Sequence, residues 1–158
     1  MRTENRPGEL GEATFLLRAT ERGWVVSKPF GEKQCYDFIV DNGRNLLRVQ
    51  VKSTEAPCSK HRYHINLGRG GGARIPYQKN QIDFFAIYLV QENAWYILPI
   101  EAAMGWVGLS VPKTECVSGT AYEKYSEAWG LMDGGGEWSG RADLNCRPLA
   151  PQASALPG

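Results

Sequence analysis

An Asn-Gly pair at 42–43, set between Tyr36–Asp41 and Arg44–Lys52, constrains this chain more than any other feature. Both flanks read as strands, and Asn-Gly between such runs is a strong local signal for a β-hairpin. With those two residues as the loop, Asp41 pairs with Arg44, Val40 with Asn45, and Asp37 with Arg48. Side chains alternate across a strand, and opposed residues share a face. One face then carries Phe38, Val40, Leu47, Val49 and Val51, a surface fit for a core. The other carries Asp37, Asp41, Arg48, Gln50 and Lys52, with Ile39 and Leu46 among them. A buried strand has no structural need for an acid, an amide and an amine on one side.

Asp37 and Gln50 offer hard oxygens, the donors that Mg²⁺ prefers. Lys52, one strand period beyond Gln50, brings an ammonium to the same side. There it can orient a water or hold a phosphate oxygen. Metal, positioned water and cation are the equipment for hydrolysing a phosphodiester. The same pattern fits a polar strand whose charges are merely solvated, and local spacing alone slightly favours that reading.

Asp37 … Gln50-Val51-Lys52 resembles the catalytic hairpin of the PD-(D/E)XK nucleases, in the variant where Gln replaces the second acid. Upstream, Gly8-Glu9-Leu10-Gly11-Glu12-Ala13 resembles the first helix of that family, which supplies a further Glu. The nearest branch is the group I intron-encoded homing endonucleases, whose pattern is similar to Tyr36-Asp37 … Arg48-Val49-Gln50-Val51-Lys52. The likeness continues through Tyr77 … Ile82-Asp83-Phe84-Phe85-Ala86-Ile87-Tyr88 to Tyr96-Ile97-Leu98-Pro99, and so covers residues 8–100. No one of these motifs is specific, but together and in order they carry weight.

The resemblance implies an α/β, restriction-endonuclease-like mixed central β-sheet flanked by helices. It implies a Mg²⁺-dependent (or Mn²⁺-dependent) DNA endonuclease, of the homing type found in mobile elements. Asp37 would bind the metal, with Gln50 and the Val51 carbonyl as further ligands, and Glu12 would hold a second ion or a metal-bound water. Lys52 would position the attacking water and stabilise charge developing at phosphorus. Cutting both strands of double-stranded DNA needs two sites, so a homo-dimer or tetramer is implied.

Two positions depart from the family pattern. Tyr36 stands where Pro is expected, which affects strand geometry more than chemistry. Gln50 stands where most members have an acid, and an amide oxygen ligates Mg²⁺ more weakly than a carboxylate. If Glu12 does not make up the deficit, the expectation becomes a catalytically weak or inactive DNA-binding protein of the same fold. A third reading, a structural or partner-binding protein, predicts no salt-dependent DNA binding at all.

Net charge is +1 and points nowhere by itself, but its distribution is uneven. Residues 1–80 hold 14 Lys and Arg against 8 Asp and Glu, a balance of +6; residues 81–158 hold 4 against 9, a balance of −5. Between Ala56 and Ile82 lie Lys60, Arg62, Arg69, Arg74 and Lys79 with no acid. A basic run beside a metal site suits a phosphate backbone, although each residue taken singly reads as well as a solvated charge. With Arg48 and Ser53 from the hairpin, these five make up the expected DNA-contact set.

No N-terminal apolar run follows a basic start, so no signal peptide is expected, and the longest apolar stretch, Ile82–Val90, is too short to span a bilayer. A soluble, cytoplasmic protein without membrane contact is expected. Cys35, Cys58, Cys116 and Cys146 form no CxxC pair, which argues against a disulfide framework. Cys58, His61 and His64, with Cys35 as a fourth ligand, could bind zinc only if two histidines on opposite strand faces were brought together, so zinc is not expected.

Further elements follow from periodicity. Residues 9–22 read as a helix presenting Leu10, Ala13, Leu16, Leu17 and Thr20 on one face, ended by Gly23, with Glu12 off that stripe. Trp24–Val26 reads as a short strand, residues 55–60 as a loop, and Arg62–Leu67 as another strand. Gly68–Arg74 reads as a glycine-rich loop that is neither a P-loop nor a dinucleotide fingerprint. Phe84–Val90 and Ala94–Leu98 form a strand pair joined at Glu92-Asn93, with Asp83 capping the turn before it. Glu101–Met104 reads as one helical turn, residues 105–119 show little pattern, and a last helix is expected at 121–132 with Tyr122, Tyr125 and Trp129 turned inward. Residues 1–132 make up the nuclease-like domain, and 133–158 a disordered Gly/Pro-rich tail. Asp143–Cys146 and Ser154–Gly158 can be encoded as complements of tRNA T-loop and D-arm sequence, so the tail is expected to read antisense across a tRNA gene, which the coding DNA would reveal.

Overall fold

The computed structural model of the protein describes residues 6–134. The helix α1 (Arg6–Glu21) is followed by β1 (Val25–Ser27), β2 (Phe38–Asp41), β3 (Leu46–Thr54), β4 (Pro57–Ser59) and β5 (Arg62–Asn66). The strands β6 (Phe84–Leu89), β7 (Ala94–Pro99) and β8 (Gly108–Pro112) complete the set, with short 3₁₀ turns between and after them. A five-stranded sheet runs in the order β1-β2-β3-β6-β7, and a three-stranded sheet in the order β4-β5-β8. Every pairing is antiparallel except that of β3 with β6. That parallel pair makes the large sheet mixed.

Both faces of the large sheet are covered. On one, Phe38, Val40, Leu47, Val49 and Val51 pack with Phe15 and Ala19 of α1 and with Trp24, Trp95 and Trp129. On the other, Phe85, Ile87, Tyr96 and Leu98 pack with Tyr63, Ile65, Leu109 and Val111 of the small sheet and with Tyr77. Strand β6 is therefore buried at every position, as its unbroken apolar run requires.

The hairpin forms with a different register from the expected one. Asp41 faces Leu46, Val40 faces Leu47 and Ile39 faces Arg48. The cause is Asn42, whose Oδ1 accepts from the amides of Arg44 and Asn45 at 2.8 and 2.7 Å while its Nδ2 donates to the Met132 carbonyl. Asn42 thus opens a wider loop, with Gly43 at φ 89°. The slip is two residues, so every side chain keeps its face. What changes is the partner: continued past Phe38, the ladder sets Asp37 across from Gln50 rather than Arg48.

Other expectations need correction. The buried side of α1 is Gly11, Phe15 and Ala19, while Leu10, Leu16 and Leu17 are exposed. Gly11 lies there because a Cβ would come within 3.0 Å of Ser53. Gly23, at φ 74°, does stop the helix just beyond Glu21, with the Trp24 amide donating back to the Ala19 carbonyl at 3.0 Å. Strand β3 runs on to Thr54, and a short strand stands in the expected 55–60 loop. The stretch that showed little pattern contains β8. No second α-helix occurs among the described residues: 3₁₀ turns at Glu123–Tyr125 and Trp129–Met132 replace the last one. Glu127, at φ 49°, interrupts the helix there because its amide donates to the Trp95 carbonyl on the free edge of β7. The aromatic residues still face inward, with Trp129 fully buried. The tail from 135 onward lies outside the described residues.

Candidate active site

Strand β3 is longer than its antiparallel neighbour. The β2–β3 ladder stops at Phe38 and Val49, while β3 continues for five residues beside β6. Past Val49, main-chain groups on the β2 side have no strand to pair with. Asp37, just before β2, fills part of the gap. Its own amide donates to the Val49 carbonyl at 2.9 Å, and its Oδ2 accepts from the Val51 amide at 2.8 Å. The Val51 carbonyl is left facing the same opening.

Gln50 reaches into this gap. Its Nε2 donates to Asp37 Oδ2 at 2.6 Å and, more weakly, to the Val51 carbonyl at 3.3 Å. Its Oε1 accepts from the Tyr77 hydroxyl at 3.2 Å. Asp37, Gln50, Val51, Lys52, Ser53 and Glu12, with Pro7 and Gly8, line a solvent-open cleft of about 370 Å³. The end of α1 is tied down by Ser53, whose Oγ donates to the Pro7 carbonyl at 2.6 Å. Glu12 therefore borders the cleft although it lies on the helix and not in the sheet. Its Oε2 accepts from Lys28 Nζ at 2.6 Å.

The electrostatics are those of charges held partly out of water. Burial pushes the Asp37 carboxyl above its ordinary value, against the Val51 amide, which pulls it down; Glu12 pushes it further up. Burial also lowers the Lys52 ammonium, against the nearby Asp37 charge, and Arg74 lowers it again. The Tyr77 hydroxyl is pushed up to about 12 by burial and then by Asp37. Lys28 is raised by its bond to Glu12.

Among the described residues no three His, Cys, Asp or Glu side chains gather as a metal cluster. The donor set nevertheless fits a hard divalent cation. Asp37 Oδ2 and the Val51 carbonyl converge closely enough for one nitrogen to bond both, and such oxygens are what Mg²⁺ takes. Cys58, His61 and His64 do not gather with Cys35: Cys58 Sγ bonds the Arg62 carbonyl, His61 Nδ1 lies 3.6 Å from Cys116 Sγ, and Cys35 lies beside Arg69.

The expected DNA contacts divide. Ser53 lines the cleft, Arg74 is exposed near Lys52, and Lys60 is exposed. Arg69 is drawn over the Tyr77 ring at 5.4 Å. Lys79 pairs with Glu101 at 3.5 Å, and Arg62 is bonded to Ser110 beside a different hollow. Arg48 departs from the expectation altogether. Its guanidinium donates to both Asp83 oxygens at 3.1 and 3.0 Å and to the carbonyls of Lys79 and Asn80. Four of its five N–H groups are thus engaged, and no fork remains for a phosphate. Asp83 accordingly serves as the partner of Arg48 and not as a turn cap. Sequence reasoning assigned no role to Tyr77 or Lys28. Tyr77 stands in a quoted motif, but nothing in spacing sets it against Gln50, and Lys28 sits in an unpatterned loop.

The family model for PD-(D/E)XK endonucleases matches residues 1–115. A bacterial homing endonuclease, I-Ssp6803I, is similar with a TM-score of 0.74 at 25% identity, over 91% of this chain and 99% of that one. A Holliday junction resolvase, Hjc from the archaeal hyperthermophile Archaeoglobus fulgidus, gives a TM-score of 0.45 at 18% identity, over 68% of this chain and 84% of its own. No curated protein matches the chain. The mixed sheet with its acid, amide and lysine at a broken strand edge defines a nuclease of the restriction-endonuclease-like class. More particularly, the chain belongs to the PD-(D/E)XK endonuclease family, near its homing-endonuclease branch. No helix among the described residues is long and apolar enough to cross a membrane.

Proposed function

We propose that this chain is a cytoplasmic, Mg²⁺-dependent endonuclease that hydrolyses phosphodiester bonds in double-stranded DNA, as a homing-type enzyme of a mobile element. The observation that carries the reading is the convergence of Asp37 Oδ2 and the Val51 carbonyl on one point at the edge of β3, inside a solvent-open cleft. Asp37, Val51 and Gln50 would hold the cation, with Glu12 on a second ion or a bound water. When bound, that cation would polarise the scissile phosphate and lower the pKa of a water. Lys52, held partly out of water beside Asp37, orients the attacking water and faces the negative charge that grows at phosphorus. Lowering its pKa also readies it to release or accept a proton nearer to neutrality. Ser53, Arg69, Arg74 and Lys60 would meet the backbone. Two such sites, in a homo-dimer or tetramer, would cut both strands.

Nicking of supercoiled plasmid carrying the DNA that flanks the gene, in Mg²⁺, tests the reading. Lys52→Ala should lower the rate by about 10²–10⁴-fold. A Lys52→Ala protein cutting at the wild-type rate rules the mechanism out.

A second reading, a weakly active or inactive DNA-binding protein, is favoured by one observation. The Gln50 amide presents nitrogen to Asp37, and Glu12 is occupied by Lys28. Salt-dependent DNA binding without cleavage in either Mg²⁺ or Mn²⁺ would select it.

A further inference from the structure

A side-chain amide can ligate a cation only through oxygen, yet Gln50 presents nitrogen to Asp37 and Val51 and turns its oxygen towards Tyr77. We propose that Tyr77 is the positioning residue of the catalytic amide, its hydroxyl holding Gln50 in two orientations so that the amide turns over when a divalent cation binds. The proposal rests on the reading of Asp37, Val51 and Gln50 as cation ligands. With nitrogen forward, the Tyr77 hydroxyl donates to Oε1. With oxygen forward, Nε2 is brought round to Tyr77. A hydroxyl both donates and accepts, so the same oxygen takes the N–H of the turned amide. No backbone movement is needed, only rotation about the last side-chain bond.

Tyr77 is built to stay in place while this happens. It is 5% exposed, its ring stands edge-on to Phe85 at 5.3 Å, and Lys52 Nζ and Arg69 Cζ lie 5.7 and 5.4 Å from its centre. The two states do not depend on it equally. The forward nitrogen keeps two other acceptors, Asp37 and the Val51 carbonyl, whereas the turned nitrogen has left both. Removing the hydroxyl therefore penalises the cation-ready state more. A carboxylate at position 50 would escape this dependence, because its two oxygens are equivalent and turning it changes nothing. An amide in place of the second acid thus calls for a partner that can reverse its polarity.

The test is calorimetric titration of the DNA-free protein with Mn²⁺ alone, using Tyr77→Phe in the wild-type and in the Gln50→Glu background. Tyr77→Phe should weaken Mn²⁺ binding about fivefold with Gln at position 50, and by less than about twofold with Glu there. Equal losses in both backgrounds, or no loss in either, would overturn the proposal and leave the nuclease reading standing. A wild-type protein that binds no Mn²⁺ would overturn both. NMR of the unmutated protein gives an answer that does not depend on how the variants fold. On adding Mg²⁺, nuclear Overhauser contacts from the Gln50 side-chain amide protons should move from the Val51 backbone to the Tyr77 ring, and contacts that stay with Val51 at saturating Mg²⁺ would end the idea.

Discussion

Two aspartates flank β3, each immediately before a strand and each followed by Phe: Asp37-Phe38 opens β2 and Asp83-Phe84 opens β6. Each accepts a main-chain amide of β3, Asp37 from Val51 at 2.8 Å and Asp83 from Arg48 at 2.7 Å. Each also meets a β3 side chain of the polar face. Here they part. Asp83 meets a guanidinium that spans both its oxygens, and the pair is closed off, its side chains 15% and 9% exposed. Asp37 meets a neutral amide and opens onto a cleft, and burial without a fixed countercharge pushes its carboxyl upward. The same local device serves as a rivet on one side and, in the function proposed above, as a site on the other. What separates them is whether β3 supplies a cation within reach, and Lys52 stops short of a bond.

Exchanging the partners tests this contrast most severely. Gln50→Arg should turn the open aspartate into the closed kind, spending the Asp37 charge on a guanidinium. Plasmid nicking should fall by at least about 10³-fold and Mn²⁺ binding should disappear from the titration. Retained cleavage would mean that Asp37 is not the acid that matters. The reverse exchange, Arg48→Gln, leaves Asp83 buried with its charge unmatched. Breaking a buried pair from one side costs about 3 kcal/mol, which urea unfolding reads directly. Nicking per folded molecule should stay near wild type, because this pair lies on the β6 side of β3. A loss of cleavage without a loss of stability would erase the distinction between rivet and site.

Much of this arrangement is legible in the sequence. The division of the hairpin into an apolar and a polar face holds although the loop is wider than expected, because a two-residue slip preserves alternation. The partner assignment does not hold, since it rests on loop length, and Asn42 spends its side chain on the loop itself. The buried face of the helix differs from the leucine stripe for a related reason. Leucines attract attention, but α1 packs through Gly11 and Ala19 around a single Phe15, and close approach to Ser53 favours small residues that carry no hydropathy signal. Strand β8 is five residues with a proline at its end, too short for a period to register. The 121–132 segment has helical spacing, yet the free edge of β7 offers hydrogen bonds that outcompete it. Arg48 and Asp83 are 35 positions apart, as Gln50 and Tyr77 are 27 apart, and only the folded sheet brings either pair together.

The smallest expected effect concerns Asp37 itself and bears on why a rivet and a site differ in stability. Its carboxyl lies above the ordinary value of 3.8 in the fold, chiefly through burial, so the native state holds that proton more tightly than the unfolded chain does. Ionised Asp37 is therefore a cost to folding, present in full above its folded pKa and absent below 3.8. Asp37→Asn carries no such titration. In metal-free buffer its stability relative to wild type should be most favourable near neutral pH, and the advantage should shrink as pH falls towards 4. Hydrogen bonds lost or gained by the amide add a constant, so the slope with pH is the measurement, taken from urea unfolding at several pH values. A difference that is flat, or that grows towards acid, would mean that the open aspartate is as well compensated as the closed one. The cleft would then store no electrostatic strain for a cation to relieve.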